Sequence, residues 1–274
     1  MEKPQSFYIF SDIDGTFMNH NNYCYESIIN FVELIKKKCE IIFVSSKTFS
    51  EIKIINEKLN IEFPFIVENG ACIYFPKKYK INYKKKQFHE DYFSVPLCME
   101  NLKLQNKKIK KIGEKFKFTF FNEISHKDLQ KLTKLGNDEI LSSKKREFSD
   151  PLIWLDTKKN FSTFKSKLSK YGYRLSEGGR FIHISKNYDK ATAVKFFLKL
   201  INFKADKNIK TISLGDSQND TGMLEMTDYS CIIKSPKKNI LYIKNKNKYY
   251  SKHPAPTGWK ESLLKIFTKE NINF

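Results

Sequence analysis

Two carboxylates two residues apart, in Asp12-Ile13-Asp14-Gly15-Thr16, stand directly behind the apolar run Phe7-Tyr8-Ile9-Phe10. If the chain stays extended there, both project to one side, which suits a nucleophile or metal ligand beside a proton shuttle. An acidic turn or a calcium loop would use the same residue types, but the third acid and distal glutamate of a helix-loop-helix calcium site are missing. A second acidic group, Gly215-Asp216-Ser217-Gln218-Asn219-Asp220, follows another apolar run. Four carboxylates brought together would repel one another, so a site built from them needs a divalent cation and a lysine. Lys190 fits, because it opens a helical pattern where the backbone dipole and the ammonium both favour an anion. A hard, all-oxygen donor set that leaves positions open for water and phosphate points to Mg2+.

Positioning these groups calls for particular elements. Phe7 to Phe10 reads as a buried strand that stops at Asp12, and Tyr25 to Lys38 as a helix with Ile28, Ile29, Val32 and Ile35 on one stripe. Ile41 to Val44 is a second buried strand ending in Ser45-Ser46-Lys47. Thr48 and Glu51 have capping-box spacing for a helix to about Leu59, and Phe65 to Val67 is a third strand ending in Glu68-Asn69-Gly70. Strand, helix, strand, helix, strand predicts a doubly wound parallel α/β sheet, whose ligands bind at the carboxyl ends of the strands. All three polar clusters fall there.

After about Tyr83 the texture changes to Lys-rich helical stretches alternating with isolated strand-like runs at 116–121, 152–155 and 181–184. The α/β texture returns near Asp189, which can cap a helix to about Ile201, and Ile209 to Leu214 is a strand running into the second acidic group. A last strand near Cys231 to Ile233 and a helix from about Gly258 to Thr268 follow. The expectation is an α/β core (residues 1–82 and 187–274) interrupted by an α+β domain (83–186).

Composition excludes several classes. The 274 residues are 40% hydrophobic and 15% aromatic, which is too apolar for a disordered chain. Five scattered cysteines without a C-x-x-C pair suggest reduced thiols rather than a disulfide framework or zinc site. No apolar run reaches the roughly 18 residues of a membrane span, and the first residues show no targeting signal, so a cytoplasmic protein without a membrane partner is expected. The formal charge is +20, but Arg146, Arg174 and Arg180 are the only arginines among 50 basic residues. A nucleic-acid surface usually mixes arginine with lysine, so no nucleic-acid partner is expected; anionic small substrates suit the field.

Taken together, the four clusters resemble the motifs of the haloacid dehalogenase superfamily of phosphatases, in order: Asp12 to Thr16, Ser45, Lys190, and Gly215 to Asp220. The resemblance implies a doubly wound core with a mobile cap. It implies Asp12 as the nucleophile that forms an aspartyl-phosphate and Asp14 as the acid and base, with Ser45 holding the phosphoryl group and Lys190 neutralising it. Mg2+ would be held by Asp12, Asp216 and the Asp14 carbonyl, with Asp220 supporting its water shell. These roles agree with the electrostatic demands of phosphoryl transfer.

Further stretches narrow the resemblance to the mannosyl-3-phosphoglycerate phosphatase family: Ser45-Ser46-Lys47-Thr48, Glu68-Asn69-Gly70-Ala71, Arg146 to Pro151, Gly178-Gly179-Arg180-Phe181-Ile182-His183, and Ala255 to Trp259. It implies Mg2+-dependent hydrolysis of mannosyl- or glucosyl-3-phosphoglycerate to the glycosylglycerate, a compatible solute. Substrate contacts would come from Ser46, Lys47, Asn69, Arg146, Gly178, Gly179, Arg180 and Asn219. In a lysine-using chain, Arg146 and Arg180 mark places that need a planar, two-pronged donor, for which the glycerate carboxylate is a partner; an ion pair is the other role for Arg146. Arg174 and Trp259 read as structural, and His183, alternating with Phe181 along a strand, either faces the cap cleft or is a satisfied structural residue, the commoner case for a lone histidine. Ala191 departs from the glycine common after the motif lysine. The rivals are a broader sugar-phosphate phosphatase of the same fold and a basic nucleic-acid-binding protein on a decayed phosphatase scaffold.

Overall fold

The computed structural model describes residues 7–178, 181–202, 209–235 and 241–272. Its central sheet is parallel throughout, in the spatial order β13 (Lys248–Tyr250), β12 (Tyr229–Ile232), β11 (Lys210–Gly215), β1 (Phe7–Ser11), β2 (Cys39–Phe43). Period-two alternation covers both faces, as a parallel sheet with helices on each side requires. Phe7, Ile9, Ile41 and Phe43 pack with α1 (Ile29–Ile35), α2 (Phe49–Lys58) and α9 (Thr257–Lys269), whereas Phe10, Ile42 and Val44 pack with Ala193, Val194 and Phe197 of α7 (Lys190–Leu200) and with Met223 of α8 (Thr221–Met226). The first helix is shorter than its pattern, since Glu26–Ile28 forms a single 3-10 turn before it. The Thr48–Glu51 capping box and the Asp189 cap form as the spacing predicts.

β3 (Phe65–Val67) extends this sheet through a parallel bridge between Val44 and Ile66, and also opens an antiparallel sheet, β3-β4-β6-β5, with β4 (Cys72–Pro76), β5 (Gln87–His89) and β6 (Tyr92–Pro96). Residue 83, where the sequence texture changes, lies in the connection between β4 and β5. Residues 102–185 build a separate unit. Its antiparallel sheet runs β7 (Phe118–Phe120), β8 (Leu152–Trp154), β10 (Phe181–Ser185), β9 (Arg174–Gly178). Helices α3 (Leu102–Ile112) and α6 (Lys158–Ser169) pack through Ile109, Phe164 and Leu168 with Leu152 and Ile184. A second cluster joins α4 (His126–Thr133) and α5 (Asn137–Ser143) to Phe121, Ile153 and Phe181. Among the described residues no helix is long and apolar enough to cross a membrane.

β1 lies between β2, which follows it in the chain, and β11, which returns about two hundred residues later. The crevice at such a reversal of strand order is where open α/β sheets bind ligands, and Asp12 and Asp216 stand at the carboxyl ends of the two strands that form it.

Candidate active site

Asp12 is anchored through both its amide and its carbonyl. Its amide donates to Leu214 O at 3.0 Å, tying the end of β1 to β11. The Ser11 hydroxyl donates to Asp12 O at 2.7 Å while accepting from Nε1 of the fully buried Trp259 at 2.9 Å. The chain does not stay extended beyond it. The amides of Thr16, Phe17 and Met18 all donate to Ile13 O, and Gly15 adopts φ +85°, so the backbone curls into a tight turn. A Cβ on Gly15 would lie 2.7 Å from Asp216 Oδ2. This turn separates the two acids of the first motif. Asp12 is buried toward the second acidic group, whereas Asp14 faces Lys47, with Nζ 3.1 Å from Asp14 Oδ1.

The second acidic group is organised by its own backbone. Asp220 Oδ2 accepts from the amides of Asp216 and Ser217 at 3.2 and 3.0 Å and from the Ser217 hydroxyl. Lys190, at the first turn of α7 and completely buried, donates from Nζ to Asp12 Oδ1 at 2.5 Å and to Asp220 Oδ1 at 2.7 Å. Burial opposes the lysine's charge, but Asp12 and Asp220 outweigh it and hold its pKa above the ordinary value. For Asp12, burial and the nearby Asp220 and Asp216 charges push the carboxyl well above its usual range, against the pull of Lys190. Ligand atoms of Asp12, Asp216 and Asp220 lie within 4.8 Å of one another. A single lysine leaves this buried trio short of positive charge, and an all-oxygen donor set of this size fits a hard divalent cation. The Asp14 carboxylate lies outside that trio.

The loop after β3 joins the remaining parts. Glu68, Asn69 and Gly70 are consecutive left-handed residues, at φ 49°, 58° and 100°. Asn69 donates its amide to Ser45 O at 2.8 Å and accepts at Oδ1 from Asn219 Nδ2 at 3.2 Å, which ties the second motif to the fourth. Gly70 lies so close to the start of α7 that a Cβ would sit 2.2 Å from Asp189 O. Glu68, 1% exposed, accepts from the amides of Glu147, Phe148 and Ser149 and from the Ser149 hydroxyl, with Arg146 Nη2 at 3.5 Å. Arg146 makes this ion pair and also borders the cleft that opens over the site: Nε donates to Ser149 O at 2.7 Å, and Nη2 to Ser46 O at 3.1 Å and to the Ser149 hydroxyl.

A cleft of about 350 Å³ opens over this cluster, bounded below by Asp12, Asp14, Ser46, Lys47 and Asn219 and above by Phe121, Arg146, Phe181 and His183. It is closed at the side by Tyr23, whose hydroxyl donates to Thr133 O at 3.3 Å; outside the cleft lining, the Thr48 hydroxyl donates to Ser142 O. Lys47 is held by Asp14 and by Glu51 at 3.4 Å. Ser45, fully buried beneath the cleft, accepts from the Lys47 amide at 3.3 Å. Asn69 borders a second cavity of about 250 Å³, which also reaches Lys190, His183 and Asn219. Gly178 pairs with Phe181 in the cap sheet; Gly179 and Arg180 lie outside the described residues. Arg174 forms an exposed ion pair with Asp189 at 3.9 Å, and the Ala191 methyl lies where a Cβ on Gly222 would touch it, at 2.9 Å.

Sequence reasoning missed Glu68, although a glutamate after a buried strand and before Asn-Gly was visible. It also missed Thr16, whose hydroxyl donates to Asp12 Oδ2 at 3.3 Å. His183 is not satisfied: its Nδ1 is buried without a hydrogen-bond partner.

A family model described as haloacid dehalogenase-like hydrolase matches residues 9–258. A glucosyl-3-phosphoglycerate/mannosyl-3-phosphoglycerate phosphatase of Persephonella marina is 34% identical over 264 residues, covering 95% of this chain and 97% of the relative. A mannosyl-3-phosphoglycerate phosphatase of Pyrococcus furiosus is 31% identical over 227 residues, 82% of this chain and 90% of its own. Among solved structures, a Thermoplasma acidophilum protein superposes with a TM-score of 0.66 at 16% identity, covering 97% of this chain and 98% of its own, a likeness of fold. With the acid trio at the switch point of a parallel sheet beneath an inserted antiparallel unit, the chain belongs to the haloacid dehalogenase-like hydrolase family.

Proposed function

We propose that this chain is a Mg2+-dependent phosphatase that hydrolyses mannosyl- or glucosyl-3-phosphoglycerate to the glycosylglycerate and phosphate. The observation that carries the reading is Lys190 bridging Asp12 and Asp220, with Asp12 itself lining a cleft large enough for a small phosphorylated sugar derivative. The substrate class rests on the Persephonella marina and Pyrococcus furiosus relatives, which bear that activity in their names. In this reading the cap is the β7-β8-β10-β9 unit with α3 to α6, entered after β6 and left before α7.

Asp12 attacks phosphorus, the bond to the glycerate oxygen breaks, and Asp14 supplies the proton to that oxygen. Asp14 then takes a proton from the water that attacks the aspartyl-phosphate, freeing phosphate and restoring Asp12. Lys190 neutralises charge on the transferring group, and Ser45 anchors the strand end beside it. Asp12, Asp216 and Asp220, with the Asp14 carbonyl, would hold Mg2+, which supplies charge neutralisation at the phosphoryl oxygens. The Lys47–Asp14 contact orients the acid toward the cleft. The test is phosphate release from mannosyl- and glucosyl-3-phosphoglycerate beside simple hexose phosphates. Preference for the glycosyl-phosphoglycerates by about tenfold or more in kcat/KM supports the reading, and equal rates on hexose phosphates would replace it with a broader sugar-phosphate phosphatase.

A further inference from the structure

His183 lies on β10 two residues after Phe181, so alternation puts both side chains on one face of the cap sheet, and both border the cleft. The imidazole also borders the second cavity, beside Lys190 and Asn219. Nδ1 is walled in with no hydrogen-bond partner, no described residue bonds to Nε2, and the residue lines both cavities, so Nε2 is the nitrogen a ligand would reach. Buried polar atoms are nearly always paired, so a ring that no described residue bonds, at the wall of two cavities, has a nitrogen to offer a ligand.

The chemistry of the ring decides what kind of partner. A buried N–H without an acceptor is rarer than a buried lone pair without a donor, so the proton belongs on Nε2 and the ring presents a donor to the cavities. Burial, with Arg146 and Lys190 nearby, holds the imidazole far below its ordinary pKa, at about 3, so the donor is neutral. A neutral N–H in positive surroundings selects an anionic oxygen without adding a charge to desolvate. The phosphoryl group is met by Asp12 and Lys190, and Arg146 already donates from Nε and Nη2 to Ser149 and Ser46. The remaining anion of the proposed substrate is the carboxylate of its glycerate part.

We propose that His183 donates a hydrogen bond from Nε2 to that carboxylate and is a specificity-determining residue for it. This rests on the substrate class proposed above. It also explains why the ring stands beside the apolar pair Phe121–Phe181, whose centroids lie 5.1 Å apart: the aromatic wall shields the pair from water, which strengthens one well-placed donor.

The experiment compares three substrates: glucosyl-3-phosphoglycerate, its analogue with the carboxylate reduced to a hydroxymethyl group, and p-nitrophenyl phosphate. Wild type should prefer the carboxylate compound over the analogue by about 10- to 100-fold in kcat/KM, the range of a hydrogen bond to a charged group. His183→Leu should raise KM for the carboxylate compound and erase that preference, with p-nitrophenyl phosphate changed by less than about threefold, since that substrate makes no such bond. His183→Gln, which retains an N–H of similar reach, should recover part of the preference. If the leucine variant does not fold, His183→Asn, whose amide is too short, should show the same selective loss. Equal losses on all three substrates, or a preference that survives substitution, would overturn the proposal while leaving the substrate class intact. A wild type that cleaves p-nitrophenyl phosphate but neither glycosyl compound would overturn both.

Discussion

Asn219 Nδ2 donates to Asn69 Oδ1 at 3.2 Å, so the loop that carries Asp216 and Asp220 is hydrogen-bonded to the loop that follows β3. Asn69 in turn donates its amide to Ser45 O, and its neighbours reach the cap through Glu68 and the start of α7 through Gly70. Three consecutive left-handed residues therefore set the spacing of three of the four motifs and of the cap. Left-handed backbone costs roughly 1 to 2 kcal/mol for a non-glycine residue, and it persists at Glu68 and Asn69 because their side chains are bonded to the cap and to the loop after β11.

Gly70→Ala tests this arrangement. Besides its positive φ, the new methyl would lie 2.2 Å from Asp189 O, a backbone atom that cannot swing aside without moving Lys190. We expect a loss of at least about 2 kcal/mol in unfolding free energy together with a fall in kcat that exceeds the change in KM. Urea denaturation beside steady-state kinetics checks both. Unchanged kcat in a destabilised variant would show that the loop supports the fold but not the position of the lysine.

Metal binding should be visible without turnover. A divalent ion that binds the folded chain alone stabilises it by about 2.7 kcal/mol at a hundred times its Kd, or roughly 5 to 10 °C in Tm for a domain of this size. Mg2+ should produce that shift, and Asp216→Asn, which removes a charge from the trio, should shrink it. The same thermal shift in wild type and variant would place the ion elsewhere.

Much of this site was legible because its residues sit where strands end. Buried runs at 7–10, 41–44 and 209–214 announced both the parallel sheet and the positions of Asp12, Ser45 and Asp216. The Thr48 and Asp189 caps are local, and capping is set by residues three apart. Illegible were the contacts made across the chain. Nothing in the surroundings of Arg146 predicts that Glu68, 78 residues earlier, curls back to meet it. The Asp12–Asp14 spacing predicted a shared face only while the strand continued, and the turn at Gly15 ends it. The change of texture near residue 83 tracked lysine content, whereas β6 pairs with β4, and β5 with β6, through backbone hydrogen bonds.

Arg146→Lys separates an anchor from a ligand clamp. The guanidinium joins Ser46, Ser149 and Glu68, and an ammonium cannot serve all three directions at once. With Glu68 buried and one partner lost, we expect about 1.5 to 3 kcal/mol lower stability and similar fractional losses in kcat/KM on glucosyl-3-phosphoglycerate and on p-nitrophenyl phosphate. A loss confined to the glycosyl compound would return Arg146 to the substrate.

Asp12→Asn should abolish steady-state turnover, because an amide cannot form the acyl-phosphate. It also removes one of the two carboxylates on Lys190, and with it part of the charge crowding, so the variant should be no less stable than wild type without added metal. Thermal denaturation and a phosphate-release assay on the same preparation check the two halves. Residual turnover above the background of a mock purification would remove Asp12 from the nucleophile's role.

The pH dependence of stability should carry the signature of His183. Its folded-state pKa lies near 3, held down by burial and by Arg146 and Lys190, whereas an unfolded histidine titrates near 6.5. Between those values the unfolded chain binds a proton that the folded chain refuses, so stability falls as pH falls. The penalty is nearly absent at pH 7, begins below about 6.5 and reaches about 2 kcal/mol by pH 5. His183→Gln has no proton to bind in either state and should lack this component, while every other titrating group contributes equally to both proteins. Urea midpoints for wild type and variant at pH 7 and pH 5 isolate the difference. If the two proteins lost the same stability on acidification, His183 would be charged in the folded chain at pH 5, and the neutral donor assigned to the cleft would be an imidazolium instead.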